Sequence, residues 1–217
     1  TNPCTFSPHT DGCGNDGWLW NCSHRSLTEI PQDIPNKYKN VFLSLDVSGN
    51  IFGEISTATF KSIKQEFRSN ITGLNFRGND LEAIGNFSFQ PLNRLCELDL
   101  SNCSLNNTKL TNYTFAHLHF LKILRLHHNN FQAKGYPDVS LSNILSLQTL
   151  TLDVFDGFHF SSLFRNLTRL ENIKFFTGKS RFHLTNFTFS GLSQSPISYL
   201  ELNFRLFVYC DVSEDIF

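Results

Sequence analysis

Residues 95–105 read LCELDLSNCSL, with leucine at the first, fourth, sixth and eleventh positions and cysteine at the ninth. The same spacing of apolar residues recurs over residues 42–52, 71–81 and 121–131, each time with asparagine at the ninth position. Weaker copies begin at Leu147, Leu170 and Ile197. A repeat every 23 to 29 residues predicts a solenoid, because each turn can bury its apolar positions only against the neighbouring turns.

The repeated pattern LxxLxLxx(N/C)xL is typical of leucine-rich repeats. Its xLxLx segment predicts a short strand whose leucines point into the core while the intervening residues face the concave side. We therefore predict an α/β solenoid, a leucine-rich-repeat horseshoe with a parallel β-sheet on its concave face and a disulfide-stapled N-terminal cap. The cap is assigned to residues 1–41, and about seven repeats to residues 42–217, with starts near 42, 71, 95, 121, 147, 170 and 197.

Two sets of residues carry structural predictions beyond the strands. The ninth-position residues Asn50, Asn79 and Asn129, with Cys103 as a substitute, are expected to hydrogen-bond backbone groups that the tight bend leaves unpaired. The later half of several repeats carries phenylalanine with an aliphatic residue three positions on. Phe60, Phe89, Phe115 and Phe189 are followed in this way by Ile63, Leu92, Leu118 and Leu192, which predicts a phenylalanine stack under the convex face.

The last three repeats depart from this pattern. Phe155, Gly178 and Arg205 stand where the asparagine is expected, and none of them can reproduce the asparagine hydrogen bonds. We therefore expect the asparagine ladder to stop near residue 150 and the curvature to change there. A phenylalanine cluster in the same region is compatible either with core packing or with a local insertion. Its members are Phe155, Phe158, Phe160 and Phe164.

Cysteines and glycosylation motifs indicate an extracellular protein. Three of the six cysteines, Cys4, Cys13 and Cys22, lie within the first 22 residues, ahead of the repeats. Asn-x-Ser/Thr motifs, which accept N-linked glycans in secreted proteins, are frequent. They occur at Asn21, Asn70, Asn86, Asn102, Asn106, Asn112, Asn166 and Asn186.

The segment that follows Cys13 resembles a known family. Residues 13–35 fit C-x8-C-S-H-x-x-L-T-x-I-P-x-D-I-P, which resembles the N-terminal cap of animal Toll-like receptors, and the irregular repeats with F-x-x-L look like their ectodomain repeats. Capped repeats of this kind also occur in secreted proteoglycans and neuronal adhesion proteins. A Cys13–Cys22 bridge is the expected staple, worth roughly 2–3 kcal/mol on the loop-entropy model. Cys4 is left to pair with another thiol or to stay free, and the partners of Cys96 and Cys210 stay open.

The resemblance implies a ligand-binding ectodomain of an innate immune pattern-recognition receptor, on the extracellular or endosomal-lumenal side of a single-pass membrane receptor. It would bind a microbial or protein ligand and signal as a homo- or heterodimer, through parts mostly outside this chain. The membrane segment would also lie outside it. No closely spaced cysteines follow the last repeat, so the sequence is interpreted as a fragment without a C-terminal cap. The alternative is an adhesion or extracellular-matrix repeat protein with a protein partner.

Alternation along the strands places the candidate ligand-binding residues on the concave face. They are Arg77, Asp99, Arg125, His127, His128, Asp153, Lys174 and Phe176, and Glu97, Tyr199 and Glu201 occupy further concave positions. The adjacent imidazoles of His127 and His128 could gain charge in an acidic compartment and favour an anionic ligand. Ordinary solvated histidines are the better supported explanation, because exposed strand positions are polar in any case. Asn102 lies on the same face, where a glycan would obstruct binding, and lateral faces are a further possibility.

Other function classes lack support in the sequence. The net charge of −1, with no run of like charge, provides no nucleic-acid footprint. Residues 12–17 match GxGxxG, but no strand precedes them and no helix follows, so we interpret them as a turn. Cys96 and Cys103 lack the paired spacing of zinc ligands. Because no nucleophile, base or metal set shares a motif, we expect no enzymatic activity, no metal and no cofactor.

Overall fold

A computed structural model describes residues 4–131, 135–177, 181–204 and 209–212. The strands are β1 (Thr5–Thr10), β2 (Asp16–Asn21), β3 (Phe42–Asp46), β4 (Glu54–Ile55), β5 (Ile71–Asn75), β6 (Ala83–Ile84), β7 (Glu97–Asp99), β8 (Ile123–Arg125), β9 (Thr149–Asp153), β10 (Asn172–Thr177), β11 (Arg181–Leu184), β12 (Tyr199–Phe204) and β13 (Tyr209–Val212). The helices are α1 (Thr57–Lys61), α2 (Gln65–Arg68), α3 (Asp138–Ser142) and α4 (Asn186–Phe189), with 3₁₀ turns at Asn36–Tyr38, Ser162–Asn166 and Ser190–Leu192.

Among the described residues, nine strands form one continuous sheet in the order β1-β2-β3-β5-β7-β8-β9-β10-β12. The first pair is antiparallel and every later pair is parallel. Each of the seven strands from β3 to β12 in this sheet begins within two residues of one of the repeat starts given above. The chain is therefore a leucine-rich-repeat solenoid, as the repeat pattern predicts.

The strand registers place equivalent residues of successive repeats side by side. Leu74, Leu98 and Leu124 are paired neighbours, and all are buried in the core. The next residue in each strand points to the opposite side of the sheet, since side chains alternate along a strand. This produces a concave row that runs from Asp46 through Asn75, Asp99, Arg125, Thr151 and Lys174 to Glu201. The sheet thus presents a polar surface on an apolar core.

The predicted asparagine ladder is confirmed. The Asn50 side chain accepts the backbone N–H groups of Arg25 and Leu27 and donates to the Cys22 and Val47 carbonyls. In the next repeat, Asn79 donates to the Val47 and Phe76 carbonyls. The Cys103 thiol donates to the Phe76 carbonyl, 3.2 Å from its Sγ atom, so it takes the asparagine role. Burial raises the pKa of this thiol to about 12, which keeps it protonated.

The phenylalanine stack on the return segments is confirmed for Phe60, Phe89 and Phe115, whereas Phe189 contacts Phe160 and Phe175. Phe60 and Phe89 have ring centroids 5.8 Å apart, and Phe89 lies 6.2 Å from Phe115 with nearly parallel rings. These three rings are almost fully buried. The structure also resolves the alternatives for the phenylalanine cluster, because Phe155, Phe158, Phe160 and Phe164 are all buried and contact one another in sequence. The cluster is core packing. The other departures from the ladder, Gly178 and Arg205, lie outside the described residues.

The predicted Cys13–Cys22 bridge is wrong, since the structure pairs Cys4 with Cys22 and Cys13 with Cys96. The reason is the hairpin that β1 and β2 form. Its turn holds Cys13, and strand β2 then separates Cys13 from Cys22 by about 20 Å at 3.3 Å per residue, whereas a disulfide needs Cα atoms less than about 7 Å apart. Thr5 pairs with Asn21 across the hairpin, so Cys4 lies beside Cys22 with 4.6 Å between their Cα atoms.

The second disulfide ties the cap to the third repeat. We call residues 5–21 the cap arm. Its turn, over residues 11–15, extends from the sheet edge as far as Cys96. The predicted turn is confirmed, but the expectation that no strand precedes the GxGxxG match is wrong, because β1 ends at Thr10 and β2 begins at Asp16. Strand β2 lies so close to β3 that a Cβ atom on Gly17 would stand 2.2 Å from the Phe42 carbonyl oxygen. The cap therefore reaches across the first repeats instead of covering only the open end of the solenoid. No helix among the described residues is long and apolar enough to cross a membrane.

Candidate binding surface on the concave sheet

The cap arm covers the concave face of the first repeats. The Gly12 N–H donates to Glu97 Oε2 at 2.7 Å, although the two residues are 85 positions apart. Between the arm and the sheet lies a cleft of about 360 Å³, lined by His9 and Leu19 of the arm and by concave residues of β3, β5, β7 and β8. The arm therefore forms one side of the concave surface of these repeats.

Most charged groups in this cleft already have partners within the chain. Glu97 forms an ion pair with Arg125 as well as its bond from Gly12. One oxygen of Asp99 accepts the N–H and the hydroxyl of Ser101, at 2.8 and 2.6 Å. Arg77, in contrast, is exposed. Three predicted ligand-binding residues lie in the first repeats. Arg125 is paired with Glu97 and Asp99 bonds to Ser101, whereas the exposed Arg77 remains available to a ligand.

His127 and Phe176 form the centre of the concave face. Their rings stack with centroids 4.3 Å apart and planes 17° from parallel, and this contact buries His127 although it lies two strands away from β10. His128 contacts both rings, at 4.8 Å from His127 and 5.3 Å from Phe176, and is itself exposed. The sequence placed the two histidines and Phe176 on one face, and the structure brings them into direct contact.

The proposed pH response of the histidine pair is contradicted at His127. Burial is the main reason that the pKa of this imidazole is lowered to about 4; Asp99 opposes the shift, and the nearby charges of His128, Arg77 and Arg125 contribute to it. At the pH of an acidified compartment, about 5.5, His127 is therefore neutral. It supplies no new positive charge for an anionic ligand.

We expect a pH titration to show this directly. Because the folded pKa of His127 lies below the ordinary value of 6.5, the stability linked to its neutral form is complete above pH 6.5 and declines as the pH falls towards 4. In a histidine-selective NMR titration, the resonance assigned by its loss in His127→Gln should shift near pH 4. Phe176→Ala should raise that midpoint by exposing the ring. A midpoint near 6.5 in the unmodified protein would contradict the burial argument.

Asp153 is also a structural residue. It is buried, and its Oδ2 accepts the Asn129 N–H at 3.1 Å. The hydroxyl of the buried Tyr136 accepts the Asp153 N–H at 2.7 Å and donates to the Asp153 carbonyl at 3.2 Å. Asp153 thus extends the asparagine ladder into the repeat where Phe155 replaces the asparagine. Because Asp153 is buried, the structure does not support the prediction that it contacts a ligand.

The available functional groups gather over strands β10 and β12. The Lys174 ammonium forms a 2.9 Å ion pair with Glu201 and lies 5.9 Å from the ring centroid of Tyr199. The hydrogen bond from Lys174, followed by that from Asn203, lowers the pKa of Glu201. We name His128, Lys174, Phe176, Tyr199 and Glu201 the concave patch. Tyr199 is 49% exposed, and it was not among the selected site residues because the sequence pattern does not distinguish one concave position from another.

The glycosylation motifs lie mainly away from the concave patch. Asn86, Asn112 and Asn166 are exposed on return segments, and Asn102 is exposed just beyond the end of β7. Asn70 is half-buried, and its Nδ2 donates to the carbonyls of Lys39 and Glu66 at 2.8 and 3.0 Å. Asn21 and Asn106 are half-buried, and the side chain of Asn186 lies outside the described residues. Within the same residues, no three His, Cys, Asp or Glu side chains are grouped as metal ligands would be.

Fold and surface together define a capped leucine-rich-repeat solenoid with a polar concave face. No family model matches the sequence. Mouse chondroadherin-like protein is 31% identical over 94 residues, which are 43% of this chain and 11% of that protein. The crystal structure of human 5T4 (Wnt-activated inhibitory factor 1, trophoblast glycoprotein) aligns with a TM-score of 0.56 at 23% identity, over 85% of this chain and 76% of that one. The chain therefore spans about a tenth of its curated relative, and the likeness to 5T4 concerns the fold.

Proposed function

We propose that this chain is an extracellular leucine-rich-repeat module that binds a protein partner through the concave patch, in the manner of an adhesion or matrix protein. The extracellular assignment is supported by the two disulfides, which persist in oxidising compartments, and by the density of glycosylation motifs. The likeness to chondroadherin-like protein favours this function over microbial sensing. The observation that carries the proposal is the exposed aromatic and ionic patch on a rigid sheet.

The chemistry of the concave patch suits a protein surface. Tyrosine and phenylalanine are enriched at the centres of protein interfaces, where they supply apolar contact area, and charged side chains such as lysine and glutamate belong to the polar rim. The patch offers Tyr199, Phe176 and the Lys174–Glu201 pair, which can exchange partners with a complementary pair on the ligand. The parallel sheet holds these side chains in fixed rows, so little conformational freedom is lost on binding.

A second candidate is the ectodomain of a Toll-like receptor that senses a microbial ligand. The cap sequence over residues 13–35 and the irregular repeat lengths favour it. The neutral state of His127 at pH 5.5 weakens the version that depends on an acidified compartment. The two candidates differ in ligand class and in the consequence of binding, since a sensor of this type dimerises when its ligand binds.

A ligand panel separates the two candidates. The glycosylated protein would be tested by biolayer interferometry against secreted and cell-surface proteins of its own organism, and against nucleic acids, lipopeptides, lipopolysaccharide and flagellin. We expect saturable binding to at least one of the secreted or cell-surface proteins and to none of the microbial ligands. Binding of a microbial ligand, accompanied by dimerisation in light scattering, would instead support the sensor.

The concave patch gives a specific mutational prediction. Lys174→Glu places two like charges side by side with Glu201, and we expect it to weaken binding of the protein partner at least about tenfold, or about 1.4 kcal/mol. Lys174 is partly exposed, so the thermal unfolding temperature should change little. The matched control is Lys61→Glu, the same substitution on the exposed surface of α1. Equal affinities of the two variants would exclude the patch from the interface.

A further inference from the structure

A second surface lies along the edge of the sheet where the parallel strands begin, whereas Asn102 lies near the edge where they end. Where the strands begin, a groove of about 450 Å³ crosses four neighbouring repeats, and the turn of the cap arm at Cys13 and Asn15 forms one wall. We call it the lateral groove. Its other lining residues include Phe42, Thr72, Arg94, Cys96, Phe120 and Lys122. The groove exists because the Cys13–Cys96 disulfide holds the arm against the third repeat.

The floor of the lateral groove is apolar and partly exposed. Phe120 is 58% exposed, although it directly precedes the buried Leu121 that begins its repeat. Phe42 is half-buried at the other end of the groove, and the Cys13–Cys96 disulfide lies between these two rings. Exposed aromatic rings beside a concave floor are typical of surfaces that bind another molecule.

The charges around the lateral groove have one sign. Arg94 and Lys122 are its charged lining residues, and no carboxylate lines it. Within the described part of the chain, three ion pairs occur, and neither Arg94 nor Lys122 takes part in them. The nearest turn carboxylate, Asp11, is buried and accepts the backbone N–H groups of Cys13 and Asn15, so it faces its own turn. The two cations therefore remain available to an anionic partner.

One glycosylation motif borders this groove. The lining residue Thr72 is the third residue of the Asn70-Ile71-Thr72 motif, whereas no motif asparagine lines the groove. Asn70, the motif residue next to the start of β5, uses its Nδ2 for two backbone hydrogen bonds. Asn21 and Asn102 lie at the other ends of the parallel strands, at the end of β2 and beyond β7 respectively.

We propose that the lateral groove binds an acidic, aromatic-containing segment of a protein in extended conformation. Four strands at about 4.8 Å spacing give a length of about 14 Å, which accommodates about four to five extended residues. The aromatic side chain packs against Phe120 beside the Cys13–Cys96 disulfide, and carboxylates on either side pair with Arg94 and Lys122. A sulfated polysaccharide fits less well, because it would pair with the cations and leave the apolar floor exposed to water.

This site is separate from the concave patch and does not depend on it. The two surfaces share no residue, and the lateral groove lies at the edge of the sheet instead of on its face. A single partner could occupy both, but each surface can be tested with the other one inactivated. The Lys174→Glu variant serves this purpose, because it alters the concave patch and leaves the groove unchanged.

The test uses fluorescein-labelled pentapeptides and fluorescence anisotropy on the intact, oxidised protein. EDFDE is expected to bind at least tenfold more tightly than EDADE, and KKFKK is expected not to bind. Arg94→Glu combined with Lys122→Glu should reduce the affinity for EDFDE at least tenfold, and so should Phe120→Ser. The Lys174→Glu variant should bind EDFDE as the unmodified protein does.

Matched controls are available within the repeats. Arg169 precedes Leu170 as Arg94 precedes Leu95, so Arg169→Glu reverses an exposed arginine at the same repeat position without touching the groove. Leu145→Ser removes a side chain that is as exposed as Phe120. Neither control should change the affinity. The proposal is overturned if EDFDE shows no saturable binding at about 1 mM, if EDADE binds equally well, if the controls weaken binding as much as the groove variants, or if a heparin oligosaccharide binds the groove in preference to EDFDE.

Discussion

Replacing Cys13 and Cys96 by serine is expected to lower the free energy of unfolding by about 4.5 kcal/mol, because the disulfide closes a loop with a sequence separation of 83 residues. On the same chain-entropy model, replacing Cys4 and Cys22, which are separated by 18 residues, should cost about 3.2 kcal/mol. Chemical denaturation of the two double variants under non-reducing conditions measures both values.

The critical result is which disulfide contributes more to the free energy of unfolding. If the cap were cross-linked only within itself, the disulfide that closes the shorter loop would contribute more. The Cys13→Ser/Cys96→Ser variant should also lose the lateral groove and become sensitive to proteolysis within residues 5–21. Under reducing conditions the unmodified protein should approach the stability of a variant without all four cysteines. A Cys13→Ser/Cys96→Ser variant as stable as the unmodified protein would contradict the bridge from the cap to the third repeat.

The second large effect is expected at Asn129. Its side chain accepts the N–H groups of Cys103 and Leu105, at 2.9 and 3.0 Å, and donates to the Leu100 and Leu126 carbonyls, both at 2.8 Å. Asn129→Ala leaves two buried N–H groups without a partner, at about 1–3 kcal/mol each, so we expect a loss of about 4 kcal/mol.

The control for this substitution is the neighbouring residue. Asn130 is exposed, and Asn130→Ala should change the free energy of unfolding by less than about 0.5 kcal/mol. Denaturant titrations of both variants at pH 7 measure the difference. A loss of under about 1 kcal/mol for Asn129→Ala would show that the ladder is not what satisfies these buried backbone groups.

The solenoid could be predicted because the residues that repeat have one structural explanation. Leucines at a fixed spacing are buried only if successive turns stack. Asn50, Asn79 and Asn129 occupy the position where an amide side chain can bond both the N–H and the C=O groups of the bend. The phenylalanine stack followed from the same reasoning.

A related signal on the return segments was not recognised. A hydroxyl residue precedes each phenylalanine of the stack, at Thr59, Ser88, Thr114 and Thr188. Ser88 Oγ donates to the Ile55 carbonyl of the preceding repeat at 2.8 Å, and Thr114 Oγ1 donates to the Ile84 carbonyl at 3.3 Å. These bonds link successive turns on the convex side, as the asparagines do near the sheet. In the other two pairs, the hydroxyls of Thr59 and Thr188 accept the N–H groups of Ser56 and Thr185 in their own repeats.

Long-range pairing explains the main error. Spacing within a cysteine cluster favours neighbours in sequence, and nothing near Cys13 signals a partner 83 residues away. The contacts of the concave residues could not be predicted for the same reason. Alternation predicted which residues face inward from the sheet, but the burial of His127 depends on Phe176 two strands away, and the pairing of Arg125 depends on Glu97. Contacts between repeats decide which concave residues are free, and a pattern within one repeat does not contain them.

The most direct test of the proposed function is hydroxyl-radical footprinting of the complex with the protein partner found in the ligand panel. Mass spectrometry would follow oxidation of Tyr199 and His128 on the concave patch, and of Tyr113 and Phe187, which are 55% and 73% exposed on return segments. We predict that the partner protects Tyr199 and His128 and leaves Tyr113 and Phe187 unchanged. Protection of Tyr113 or Phe187, with Tyr199 and His128 still oxidised as in the free protein, would contradict binding through the concave sheet.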